Sequence, residues 1–133
     1  MRWMLDTDAC IAIIKQNPLA LKKLRGKSIG QVGISSITLG ELAFGAEKSS
    51  RSRDAHEALN EFLVALEVAG FDDGSAMTYG KVRASLAQRG SPIAPLDTLI
   101  GSHAWSRGNE MMPIHSGPNG GRALPAMMVS WHA

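Results

Sequence analysis

Trp3-Met4-Leu5-Asp6-Thr7-Asp8-Ala9-Cys10-Ile11-Ala12-Ile13-Ile14 decides how the rest of the chain is read. Three apolar residues end abruptly in two carboxylates, and helix-compatible residues continue from Ala9 to Lys15. The order predicts a short strand, acidic groups at its C-terminal end, and a helix leading away. A buried strand whose end delivers carboxylates is the ordinary geometry of an open α/β sheet, where ligands collect beyond the C-terminal ends of the strands.

Working outward, the same unit recurs. Asn17-Pro18 closes the first helix and opens a second, since Asn caps well and Pro fits the first helical position; Gly26 is its stop. A second strand is expected at Val32 to Ile34, followed by a helix capped by Ser35 or Ser36 and running to about Lys48. After the polar stretch Lys48 to Arg53, an amphipathic helix is expected over Asp54 to Leu66, on the stripe Ala55, Ala58, Leu59, Phe62, Leu63 and Leu66. Val68 to Phe71 reads as a third strand and Gly74 to Gln88 as a helix, before Gly90-Ser91-Pro92-Ile93-Ala94-Pro95 delivers Leu96-Asp97 into a last helix ended by Gly108. Alternating strands and helices predict a mainly parallel sheet flanked by helices, because parallel neighbours require crossovers. No internal repeat is present.

With 133 residues, the chain is expected to form a single domain spanning 1–133. Its 44% apolar and 20% charged residues fall within the globular range and argue against a disordered chain. A net charge of +2 permits nucleic acid as a partner without demanding it. The lone Cys10 excludes an internal disulfide and a cysteine-cluster zinc site, which suits a reducing compartment, so the cytoplasm is the expected location. No apolar run approaches the ~20 residues of a membrane span, and Asp6 and Asp8 interrupt what would have to be the apolar core of a secretory signal.

Asp6, Glu41 and Asp97 all fall near predicted strand-to-helix junctions or helix starts, where chain direction can bring them to one rim. Carboxylates within ~5 Å of one another repel unless a cation neutralises them. Oxygen ligands without paired His or Cys favour magnesium or manganese over zinc. Each residue also has a structural reading: Asp6 or Asp8 as the cap of the first helix, Thr38-x-x-Glu41 as a capping box, and Asp97 as a cap of the last helix. Spacing alone leaves both readings open.

Three segments carry a resemblance that chooses between them: Met4 to Ile11, Ile34-Ser35-Ser36-Ile37-Thr38-Leu39-Gly40-Glu41-Leu42-Ala43-Phe44-Gly45-Ala46, and Pro92-Ile93-Ala94-Pro95-Leu96-Asp97-Thr98-Leu99-Ile100. In this order and at these separations they closely resemble the PIN-domain toxins of the VapC family, over residues 4 to about 108. The resemblance implies a three-layer PIN-like fold and a magnesium- or manganese-dependent endoribonuclease, often directed at tRNA. It implies inhibition by a small VapB-type antitoxin and a homodimer or hetero-oligomer. By position, Asp6, Glu41 and Asp97 match the family's acidic ligands. Asp8 stands where the family usually has Asn, a change that either adds a ligand or disturbs the site.

Tyr79 and Arg83 match a Tyr/Arg pattern of the family on this helix; with Lys81 and Arg89 they are candidates for phosphate contact, or for surface ion pairs. Arg51 and Arg53 in the basic stretch are RNA-contact candidates or simply a solvated loop. The resemblance fails over 109–122. No Asp or Glu follows Glu110, so the family's fourth acidic position is missing, while Leu124-Pro125 and Met127 to Trp131 again resemble its final strand. Loss followed by recovery suggests a local shift in reading frame.

Gly117 to Gly121 lacks the Gly-Lys-Ser/Thr ending of a phosphate-binding loop and reads as a plain loop. His103 and His115 have no second histidine at ligand spacing and read as packing or solvent residues; Met111, Met112, Met127 and Met128 read as gap-filling core or edge residues. Two rivals stand beside the nuclease: a catalytically impaired PIN scaffold that still binds its antitoxin, and a phosphatase using Asp6-Thr7-Asp8. The latter lacks the residue expected at Cys10.

Overall fold

The computed structural model describes residues 1–28, 30–90 and 93–112. Its elements are β1 (Trp3–Leu5), α1 (Thr7–Ile14), α2 (Pro18–Arg25), β2 (Val32–Ser35), α3 (Ser36–Lys48), α4 (Ser52–Leu63), β3 (Glu67–Ala69), α5 (Asp73–Arg89), α6 (Pro95–Arg107) and β4 (Glu110–Met111), the predicted alternation with α4 and β3 beginning and ending earlier than expected and with β4 added. The four strands form one sheet in the order β3-β2-β1-β4, and every pairing is parallel. β4 lies in the stretch where the sequence had lost its family pattern. Met112 is buried in the main core beside it, and Met111 packs under α6, as expected of gap-filling methionines.

Pleating sends alternate side chains to opposite faces. Trp3, Leu5, Val32 and Ile34 join Ala9, Cys10, Ile13, Ala20, Leu42 and Leu59 in a core shared with α1, α2, α3 and α4. Met4 points the other way, against Ile100 and Ala104 of α6 and Ile37 of α3, while Val82 and Leu86 of α5 pack with Trp105 and Ile93. The result is three layers, helices on both faces of a parallel sheet. At the centre of the sheet β2 carries Gly33, where a Cβ would lie 2.6 Å from the Glu67 carbonyl and 2.6 Å from Met1 Cε. Only glycine fits there.

Local signals set the helix ends. Asp6 accepts from Ala9 N–H, Asn17 from Leu19 and Ala20 N–H, Ser35 from Ile37 N–H and Asp72 from Ser75 N–H. Gly90 and Gly108 end α5 and α6 in the left-handed conformation at φ +64 and +71, which other residues adopt at a cost. Two expectations are corrected. Thr38-x-x-Glu41 is not a capping box, because Ser35 caps α3 and puts Thr38 inside the first turn, buried, with no partner for its hydroxyl. Asp97 is not a cap either: α6 starts at Pro95 after an Ala94 cap position, and Asp97 is its third residue. Within the described residues no helix is long and apolar enough to cross a membrane. The Gly117–Gly121 loop, His115, Met127, Met128 and the resumed resemblance at Leu124 to Trp131 lie outside the described residues.

Candidate active site

The acids reach their positions through three different junctions. β1 ends at Leu5, and Asp6 is the next residue, with its Oδ1 accepting from Ala9 N–H at 2.7 Å. The cap that starts α1 therefore fixes Asp6 at the C-terminal edge of the sheet. Both readings of Asp6 hold together, since capping uses Oδ1 and locks the rotamer that presents the rest of the carboxylate.

Glu41 arrives from α3, which leaves the same edge directly after β2. Thr7, the residue after Asp6, donates its hydroxyl to Glu41 Oε1 at 2.6 Å. That bond ties the second acid to the first across 34 residues of chain. Ser36 adds a link to the next strand by accepting from Phe71 N–H at 3.0 Å. Thr7 was not picked out from sequence; its only signal was its place between two carboxylates. Thr7→Val, which keeps the shape and removes the donor, is expected to lower RNA cleavage about tenfold, in the range for groups that orient a ligand. Thr7→Ser should restore most of it, and an unaltered rate in Thr7→Val would show that the bond does not position Glu41.

Asp97 comes from α6, whose direction can be read from its far end. Arg107 donates to Glu67 Oε2 at 3.0 Å, and Asn109 donates to the Met1 carbonyl at 2.8 Å. Both partners lie at the N-terminal edge of the sheet, so the first turn of α6, with Asp97, points to the opposite edge where Asp6 and Glu41 sit. Among the described residues, no three Asp, Glu, His or Cys side chains stand close enough to enclose a metal ion. The donor set still suits a hard cation: it is all oxygen, and magnesium retains several waters and uses one or two carboxylates together with substrate phosphate, not a protein cage. Asp8, exposed on the first turn of α1, flanks this edge.

The candidate cations divide into two groups. Tyr79 and Arg83 lie on α5, with Arg83 Nη1 donating to the Tyr79 hydroxyl at 3.1 Å, and Lys81 and Arg89 are exposed on the same helix. Arg51 instead pairs with Asp54 at 2.9 Å, both exposed, at the outer turn between α3 and α4, and Arg53 lies within the start of α4. The polar linker expected over Lys48 to Arg53 is thus shorter than anticipated. α3 continues from Glu41 to Lys48, about 10 Å of helix, before reaching that turn.

Beneath the acids lies a buried polar layer. His103 is fully buried, its Nδ1 2.7 Å from Ser35 Oγ and its ring edge-on to Phe71 at 5.4 Å. Thr38 Oγ1, Ser102 Oγ and His103 Nε2 are buried without a hydrogen bond of good geometry. Burial lowers the His103 pKa, the nearby Arg107 charge lowers it further, and Asp72 and the Gly70 carbonyl oppose this more weakly. A histidine held neutral in the fold is protonated more readily after unfolding. Its contribution is therefore complete above the unfolded value near 6.5 and is lost as pH falls below it. Thermal stability should decline from pH 7 to 5 with a slope of up to about 1.4 kcal/mol per pH unit from this one proton, and the decline should be shallower in His103→Gln. Parallel curves for the two proteins would remove His103 as the cause. Cys10, buried beside Asp6, has its thiol pKa pushed far up by burial and then by the Asp6 charge, so it is a packing residue and not a nucleophile.

Known proteins resemble this chain in sequence and fold. The PIN-domain family profile matches residues 3–110. The chain is 40% identical over 108 residues to the tRNA(fMet)-specific endonuclease VapC of Salmonella typhimurium, covering 81% of this chain and 82% of that protein. It is 33% identical over 108 residues to Ribonuclease VapC2 of Haemophilus influenzae, with the same two coverages of 81% and 82%. Among solved structures, the DNA-bound VapBC complex of Salmonella typhimurium superposes with a TM-score of 0.77 at 39% identity, over 82% of this chain and 83% of that one. The VapBC2 complex of Rickettsia felis, bound to a promoter DNA fragment, gives 0.79 at 33% identity, over 84% and 86%. The match ends at residue 110, and Glu110 is the last acidic residue of the sequence. A parallel sheet displaying acids at its C-terminal edge, with identity on this scale across four-fifths of the chain, identifies it as a member of the PIN-domain family and, within that family, of the VapC ribonuclease toxins.

Proposed function

We propose that this VapC-family ribonuclease cleaves tRNA with a magnesium or manganese ion held by Asp6, Glu41 and Asp97, Asp8 standing at the margin of that site. The observation that carries this reading is the Thr7–Glu41 bond, which couples the Asp6 cap to an acid on a separate element and builds one edge of a ligand set. A divalent ion bound there would supply an acidified water and positive charge to offset the pentacoordinate phosphate. The protein's own groups do the rest. Asp6 and Glu41 are oriented by the α1 cap and by Thr7, and a carboxylate beside the attacking water accepts its proton. Arg83, Lys81 and Arg89 supply positive charge for the strand; Arg51 and Arg53, on the outer hairpin turn, are candidates for contact with a more distant part of a large RNA.

The relatives' names support tRNA as the substrate class, and the VapBC complexes support a VapB-type antitoxin as the partner, in a homodimer or a hetero-oligomer with it. That substrate and the lone buried thiol support a cytoplasmic location. Incubation of the purified protein with a tRNA pool tests the reading: discrete cleavage with magnesium or manganese and none with EDTA is expected. A folded protein that binds antitoxin and leaves the pool intact with either ion would instead be the impaired scaffold, the reading favoured by the absence of any acid after Glu110.

A further inference from the structure

The α5–α6 hairpin builds a second feature beside the acids. The two helices run antiparallel: Gly74, at the start of α5, lies against Ser106 near the end of α6, while Leu86 and Ala87 meet Pro95 and Thr98 at the other end. Between them is a cavity of about 250 Å³ walled by Tyr79, Arg83, Leu86, Ile93, Pro95 and Thr98. Pro95 and Thr98 lie on the first turn of α6, so the cavity shares that turn with Asp97, whose side chain leaves it from another face.

We propose that this cavity receives one nucleobase of the RNA strand, with Tyr79 as its stacking platform and Arg83 as the contact to the adjoining phosphate. The proposal rests on the ribonuclease reading above. Its volume is below the ~300 Å³ at which drug-sized pockets begin, which suits a single flat ring system. The lining is chemically two-sided. Leu86, Ile93 and Pro95 give apolar walls for a ring, and the half-buried Tyr79 has only two torsions to immobilise. Arg83 makes no ion pair among the described residues, and no carboxylate lines the cavity, so its charge remains available to a phosphate. Its bond to the Tyr79 hydroxyl keeps the guanidinium over that ring, 5.9 Å from the centroid, so the cation and the stacking face form one unit. Single-stranded RNA is recognised by such pairings of an aromatic face with a cation. A base seated there would hold the strand against the helical turn that carries Asp97 and so restrict which bond is cut.

The test measures binding separately from cleavage, using Asp6→Asn protein and a short labelled single strand that contains the cleavage site mapped in the tRNA digestion. Scanning an abasic nucleotide along the strand should find one position where Asp6→Asn loses about tenfold in affinity, the size of one base–aromatic stack. Adding Tyr79→Ala should cost about tenfold on the intact strand and abolish the abasic penalty, whereas Tyr79→Phe, which keeps the ring and loses only the acceptor for Arg83, should retain that penalty. Arg83→Gln should weaken binding and reduce its salt dependence. If Tyr79→Ala does not fold, Tyr79→Leu replaces it, keeping an apolar wall without a π face. An undiminished abasic penalty in the Tyr79 variant overturns the subsite, as does equal binding of intact RNA. If the wild type cleaves tRNA while that penalty persists, only the subsite falls; if the wild type does not cleave, the ribonuclease reading falls first.

Discussion

Asp6→Asn is expected to reduce metal-dependent RNA cleavage by at least about a hundredfold while the fold survives, because the carboxylate's charge is the property the cation needs. Asp6 has two tasks that this substitution separates. Its Oδ1 accepts from Ala9 N–H to start α1, and Asn caps a helix about as well as Asp, so the 2.7 Å bond has a replacement. Asp6→Ala removes cap and charge together and should cost about 1 kcal/mol of stability besides the activity. Comparing the two thus isolates catalysis from folding. The check is a cleavage rate with magnesium alongside a melting curve for each variant. Asp6→Asn cleaving at the wild-type rate would remove Asp6 from the chemistry.

The second large effect is structural. Gly33→Ala should destabilise the protein by about 1–3 kcal/mol, at the upper end of that range, since the added methyl meets a carbonyl of the neighbouring strand 2.6 Å away and not merely a flexible side chain. Met1 can move aside; the Glu67 carbonyl is held in the β2–β3 ladder. Relief requires β3 to shift. Glu67 also accepts from Arg107 and pairs with the N-terminus, so the disturbance would reach α6. Urea unfolding checks this, and an unchanged midpoint would mean that the sheet edge yields freely.

The fold was legible because the apolar runs and caps agree with each other. Asn17 and Gly108 mark helix ends in the chain as they do in space, and Asp6 and Ser35 turn out to be the caps where the sequence offered two candidates each. The misreadings have a common cause. Thr38 and Asp97 look like caps because local spacing permits it, but Ser35 is placed by the end of β2 and Ala94 precedes a proline that presets the first turn. β4 was missed because two residues, Glu110 and Met111, are too few for any alternation to register; pairing with Trp3 and Met4 makes them a strand. In the same way the acids were individually visible, but the Thr7 bond to Glu41 and the burial of His103 against Ser35 depend on contacts across 34 and 68 residues, which no local pattern encodes.

The claim that Asp6, Glu41 and Asp97 share one cation is tested most directly by titrating manganese into the purified protein and following its free-ion electron paramagnetic resonance signal. One bound ion per chain is predicted for the wild type, with that binding lost in Asp6→Asn, Glu41→Gln and Asp97→Asn alike. Manganese binding that is unchanged in all three variants, or absent from a wild type that still cleaves tRNA, would contradict it.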